Sequence, residues 1–223
     1  SPYHRDTLAQ NFAVNSGKKN AYLDLNISKD AQKMRELLVQ TDIFINSYRQ
    51  SVVEKFGLSA DDILNYSPNG IVYLSINTYG HKGPWQNRPG FDQLGQAASG
   101  FSVKEGGKQN PKFSPVFYLN DLITGYLAVA GMMAALLRRA IEGGSYHVKV
   151  SLTRSAMWVQ DLGYIAEKEF ILAPKHDIYP TNLTTEKSAY GKITRLAPAV
   201  QFSDMPKVEM SPLMPFGADE PAW

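Results

Sequence analysis

"DIFINSYRQSVVEKFGLSADDILNYSPNGIVYLSIN" (Asp42–Asn77) is the stretch that decides the fold of this chain. Its two ends, Asp42–Tyr48 and Ile71–Ile76, are short apolar runs dense in β-branched and aromatic residues, the pattern of strands. Between them the pattern turns helical. A first helical piece closes at Gly57, and Ser59-Ala60-Asp61-Asp62 reads as a capping box ahead of Ile63 and Leu64. Ser67-Pro68-Asn69-Gly70 is a turn that delivers the chain to the second strand. A strand, a helical connection and another strand require a crossover, which predicts parallel strands and an α/β class.

Toward the N-terminus, Tyr22, Leu23 and Leu25 predict a further short strand. Ser28 there can cap a helix whose Met34, Leu37 and Leu38 share one face. In the other direction, Gly80–Gly100 is rich in glycine and proline and predicts an irregular segment, and Lys104–Lys112 predicts a surface loop. Asn120-Asp121 then precedes a nearly continuous apolar run, Leu122–Leu137, closed by Arg138, Arg139, Gly143 and Gly144. This reads as a long buried helix with a carboxylate at its mouth. Tyr146, Val148 and Val150 alternate along one more strand. Beyond about Asp161 the patterning weakens, and the proline-rich Leu196–Trp223 is expected to lie extended across the body.

Composition narrows the function classes. Hydrophobic residues make up 43% of 223, enough for a packed core. A net charge of +2 with no basic block argues against a nucleic-acid surface. No cysteine is present, which excludes disulfides, thiolate metal sites and a cysteine nucleophile. His4, His81, His147 and His176 are scattered without metal-ligand spacing, so no metal is expected. Walker A, GxGxxG and GxSxG patterns are all missing. The Leu122–Leu137 run falls short of the ~20 residues of a membrane span and contains Thr124, Gly125 and Gly131, so no membrane partner is expected. The chain opens Ser1-Pro2-Tyr3-His4 without a signal-peptide profile, and the expected compartment is cytoplasmic.

Taken alone, Asp121 has two readings. Either Asn120 or Asp121 caps the helix by satisfying free backbone donors, or Asp121 is reactive. A helix N-terminus favours an ionised carboxylate by ~0.3–1 kcal/mol, and the ionised form is the nucleophile.

Four blocks in order, Val14–Leu25, Asp42–Leu58, Tyr79–Gly100 and Asn120–Arg139, resemble the class III CoA-transferases, the CaiB/BaiF group that includes formyl-CoA transferase and the carnitine CoA-transferases. The resemblance covers roughly residues 10–160, and the closing "PFGADEPAW" is similar to that family's C-terminal end. It implies a Rossmann-like parallel-sheet large domain over residues 1–160, a first strand–helix unit ahead of Ser1, and a reduced small-domain remnant over 161–223. It also implies an interlocked homodimer. The family's nucleophilic aspartate falls on Asp121, and its CoA contacts fall on Asn15, Lys18, Tyr48, Arg49 and Lys55. Coenzyme A would enter as part of the acyl-CoA substrate rather than as a resident cofactor, with a carboxylic acid as acceptor. The implied route runs through an aspartyl anhydride and an aspartyl-CoA thioester on Asp121. Two further readings remain open at this point: a non-catalytic CoA-binding or dimer-forming module, and an acyl-CoA racemase. Gly90-Phe91-Asp92 disfavours the last, because the racemase branch carries a histidine where Phe91 stands and a phenyl ring exchanges no proton.

Overall fold

The computed structural model describes residues 12, 14–116, 118–165, 182–197, 200, 203–204 and 213–223. The chain divides into two compact units, residues 1–33 with 171–223 and residues 34–170, and the division falls within the helix Ser28–Val39 (α1).

In the second unit Ile43–Asn46 (β1), Val72–Asn77 (β2) and Tyr146–Ser151 (β3) form a parallel sheet in the order β1-β2-β3. Ile43 lies opposite Val72, and Val72 opposite Tyr146. Two short helices, Gln50–Glu54 (α2) and Ala60–Tyr66 (α3), make the crossover between β1 and β2. The capping box forms as its residues dictate: Ser59 Oγ accepts from Asp62 N at 3.2 Å, and the Asp62 carboxylate accepts from Ser59 N at 3.1 Å.

After β2 come Asp92–Ala98 (α4), Phe101–Gly106 (α5), Leu119–Glu142 (α6) and, following β3, Leu152–Asp161 (α7). α6 is the spine of the unit. By length and composition its 24 residues could cross a bilayer. In the fold its Ala128, Met132 and Ala135 instead pack with Val72 and Leu74 in one core cluster, flanked by Ile76, Val148 and Val150. Burying side chains such as Leu74 contributes about 1.5–3 kcal/mol each. Gly131 makes the close approach possible, since a Cβ there would come within 2.8 Å of Val148 Cγ1. Arg139 ties the helix end to the sheet, its guanidinium donating to Asp42 Oδ1 at 2.6 Å and to Gly70 O at 3.2 Å.

Three sequence expectations are corrected here. Tyr22–Leu25 forms no strand. The Asp24 carboxylate instead takes Asn26 N at 3.0 Å, and Ile27 N bonds Asp24 O, so turn chemistry outcompetes a short apolar run. The Gly80–Gly100 segment is not irregular throughout, because Asp92–Ala98, free of proline, folds as α4 once Phe91 enters it in extended geometry. The Lys104–Lys112 loop starts later than expected, since α5 carries the chain to Gly106 before Gly107 turns it with φ 81°.

The other unit contains a hairpin, Leu183–Ser188 (β4) and Gly191–Leu196 (β5), paired antiparallel. Across it Glu186 meets Arg195 at 3.4 Å, and Ser16 Oγ donates to Glu186 at 2.7 Å. Asn20 N donates to Asp219 Oδ2 at 2.7 Å. Leu196 thus ends a strand rather than opening an extended tail, and most of residues 197–212 lie outside the described residues.

Candidate active site

Asp121 sits in the first turn of α6, which Tyr118 enters in the left-handed region, φ 54°. The side chain of Asp121 does not cap the helix, and neither does that of Asn120. The acceptor comes from another helix: Asp92, 1% exposed at the start of α4, takes Asn120 N at 2.7 Å and Asp121 N at 3.2 Å on one carboxylate oxygen. Its other oxygen accepts from Gln96 Nε2. Gln96 in turn accepts from Ser114 N at 2.8 Å, which fixes the segment leading into α6. Two of the backbone donors that a helix N-terminus leaves unsatisfied are therefore met by a buried anion. Gly95 lets α4 lie this close, since a Cβ on it would stand 3.0 Å from Leu152 Cβ and 3.2 Å from Asn120 Nδ2.

The cap divides the labour between the two carboxylates. Asp92 is fully engaged, whereas Asp121 is exposed and makes no side-chain hydrogen bond among the described residues. Protein packed against one side of the Asp121 carboxyl, and secondarily the negative charge of Asp92, push its pKa up to about 6. At pH 7 such a group is still mostly ionised, and it is a more basic nucleophile than an ordinary aspartate. An exposed carboxylate, ionised, basic and free of structural bonds, can attack an acyl carbonyl.

The remaining residues singled out in the sequence are spread over both units. Asn15 and Lys18 belong to the first, where Lys18 Nζ donates to Asn15 Oδ1 at 3.3 Å. Tyr48, Arg49 and Lys55 belong to the second and bracket α2. Tyr48 N is held by Asn46 Oδ1 at 2.8 Å and Tyr48 is 71% exposed, Arg49 is the residue preceding α2, and Lys55 Nζ stands 4.6 Å over the Phe56 ring. Phe91 is 76% exposed. Among the described residues no group of His, Asp and Glu gathers as a metal site.

Tyr48 lines a cleft of about 300 Å³ on the face of the sheet opposite α6, at the C-terminal ends of the strands. Parallel α/β sheets bind ligands at that end. Asn46, Tyr73, Ser75, His81, His147 and Lys149 also line it. Sequence reading passed over this cluster. Its only trace in the sequence is the alternation of β3, where His147 and Lys149 are the polar partners of Tyr146, Val148 and Val150.

The sequence model of CoA-transferase family III matches residues 3–188. The chain is 35% identical over 172 residues to the acetyl-coenzyme A transferase nodX of Hypoxylon pulicicidum, covering 74% of this chain and 29% of that protein. It is 30% identical over 159 residues to the human succinyl-CoA:glutarate CoA-transferase, covering 71% of this chain and 36% of the other. Among solved structures, Rv3272 from M. tuberculosis superposes with a TM-score of 0.60 at 29% identity, over 66% of this chain and 41% of that one. A CAIB/BAIF family protein from Brucella suis, at 24% identity, shares the fold with a TM-score of 0.63 over 82% of this chain and 50% of its own. The chain thus spans well under half the length of the curated relatives it matches. With the parallel sheet, the long helix and the family match together, this chain belongs to CoA-transferase family III.

Proposed function

We propose that the protein works as an acyl-CoA:carboxylate CoA-transferase with Asp121 as the covalent nucleophile. The observation that carries this reading is the division between the two carboxylates. Asp92 caps α6, so the Asp121 side chain at the same helix mouth has no structural bond to break before it reacts.

In the first half-reaction an Asp121 oxygen attacks the thioester carbonyl, the C–S bond breaks, and CoA leaves as thiolate from an aspartyl–acyl anhydride. The thiolate then attacks the aspartyl carbonyl, giving an aspartyl-CoA thioester and a free carboxylate. In the second half the acceptor carboxylate attacks that thioester and expels CoA thiolate. The thiolate attacks the acceptor's acyl carbonyl, which yields the new acyl-CoA and restores Asp121. No step needs a proton from a second base, in keeping with Phe91 beside Asp92. Each tetrahedral intermediate needs hydrogen-bond donors for its oxyanion.

The nucleotide end of CoA fits the cleft beside Tyr48, whose exposed ring offers a face to adenine. Asn15, Lys18, Arg49 and Lys55 are the further contacts that the family resemblance supplies. A homodimer is the assembly we infer, supported by the row of exposed apolar side chains on α6, Leu122, Tyr126, Val129, Met133 and Leu137.

The test is covalent trapping. The protein is incubated with a panel of acyl-CoA thioesters, quenched with borohydride or hydroxylamine, and mapped by peptide mass spectrometry. Modification confined to Asp121 and lost in Asp121→Asn is the expected result. A folded protein left unmodified across the panel would move the reading to a non-catalytic CoA-binding module.

A further inference from the structure

The cleft opposite α6 holds three nitrogen bases that the family resemblance does not use. Lys149 and His147 project from alternate positions of β3, and His81 lies in the loop after β2. Lys149 forms no ion pair among the described residues. His81 Nε2 is buried without a hydrogen-bond partner. The His147 ring is pinned edge-on to Tyr73 with centroids 5.0 Å apart, and its Nε2 is 2.6 Å from Ser75 Oγ. His81 and Lys149 also border an adjoining hollow of about 390 Å³ that adds Arg154.

We propose that this cleft is a binding site for a tetrahedral dianion of the phosphate class, gripped by Lys149, His81 and the Ser75–His147 pair. A buried imidazole nitrogen with no partner, beside an ammonium with no counter-ion, is a set of donors awaiting an acceptor. The Ser75–His147 pair supplies a switchable donor. While His147 is neutral, its proton-poor nitrogen can hold the Ser75 hydroxyl. Once His147 carries a second proton, Nε2–H donates to Ser75 Oγ, and the hydroxyl hydrogen is released toward the cleft.

Binding must therefore bring protons with it. In the free protein, burial first and Lys149 second hold both imidazoles below the usual histidine range, His147 down to about 4. Glu54 from α2 and Asp61 from α3 also face the cleft, together with the phenols of Tyr48 and Tyr73. With neutral imidazoles the cleft sets one ammonium against two carboxylates, and a dianion is repelled. Protonating His147 and His81 reverses that balance. Because the free-state values are depressed and a bound dianion raises them, affinity increases as pH falls from about 7 toward 4, up to about tenfold per pH unit for each proton taken up.

This site stands on its own residues, and it rests on the CoA reading only for the natural source of the phosphate. Sulfate is the probe, since it stays dianionic over the whole range whereas a phosphate ester gains its own proton near pH 6. Histidine ring resonances of the intact chain are titrated by NMR from pH 3 to 8, in sulfate and in chloride at matched ionic strength. Sulfate is expected to raise the titration midpoints of His147 and His81 by at least about one pH unit, and Lys149→Met to abolish that rise while both rings still titrate. Midpoints that are the same in sulfate and chloride overturn the site, as does a rise that survives Lys149→Met.

A parallel titration with CoA and dephospho-CoA separates the two readings. A sulfate response with none to either nucleotide leaves the anion site standing and removes CoA from this cleft. CoA binding with both histidine midpoints unmoved by CoA and by sulfate alike overturns the anion site and leaves the transferase reading intact.

Discussion

β2 and β3 present two opposite faces built from the same twelve residues. On one face Val72, Leu74, Ile76, Val148 and Val150 meet α6 and form a dry core. On the other, Tyr73, Ser75, His147 and Lys149 line a wet cleft. Strand geometry forces this alternation, since consecutive side chains point to opposite sides. The difference shows how the fold separates an apolar packing surface from an open polar one. The dry face holds the helix whose mouth presents Asp121, and the wet face lines the cleft with polar groups.

If that separation is sound, substitutions on each side should fail in different ways. The largest effect is chemical: Asp121→Asn should lower CoA exchange by at least about 10³-fold while CoA binding, measured by calorimetry, stays within a few-fold of the native protein. A comparable loss of binding would mean that Asp121 holds the ligand rather than attacks it.

Next comes the dry face. Leu74→Ala should cost about 2–5 kcal/mol in urea unfolding, against about 1 kcal/mol or less for its neighbour Ser75→Ala. Equal costs would erase the distinction between the faces.

A smaller effect concerns pH. If Asp121 is the nucleophile we propose, its ionised form reacts, and the rate of its labelling should fall as pH drops through about 6. Asp92→Asn should move that limb downward, though only in part, since desolvation is the larger cause of the raised value. For stability the sign is the reverse of a salt-bridged aspartate. Folding holds the Asp121 proton more tightly than the unfolded chain does, so stability declines as pH rises from the ordinary aspartate range through about 6. Asp121→Asn should therefore stabilise the protein at pH 7, by less than about 1 kcal/mol because solvent screens an exposed carboxylate. The smallest change expected is Glu142→Gln. It breaks an exposed pair with Arg138 at 2.9 Å and should leave the urea unfolding midpoint almost unmoved, since solvent screens the pair.

Much of the dry side was legible in the sequence. The runs Asp42–Tyr48 and Ile71–Ile76 contain β1 and nearly all of β2, and Ser59–Asp62 formed its box, because local patterning and tertiary burial agree there. The position of Asp121 at a helix mouth was equally plain. What escaped was whatever depended on residues distant in the chain. Asp92 lies 29 residues before Asp121, and no periodicity links a buried carboxylate to the amides it will accept. The β4–β5 hairpin escaped because Leu183–Ser188 and Gly191–Leu196 carry few apolar residues. His147 and Lys149 escaped because they occupy the polar positions of an alternating strand. A polar face reads the same in sequence whether it meets bulk water or encloses a cleft.

The carboxylate that caps α6 also has a consequence in time. Amides in the first turn of a helix ordinarily exchange with solvent almost as fast as in a loop, because they have no acceptor. Here Asn120 N–H and Asp121 N–H end on a carboxylate that is 1% exposed and carried by another helix. Their deuterium uptake should be as slow as that of mid-helix positions, and it should quicken in step with the amides of α4 rather than with those of the rest of α6. The lifetime of Asp121's position is then set by how often a seven-residue helix opens.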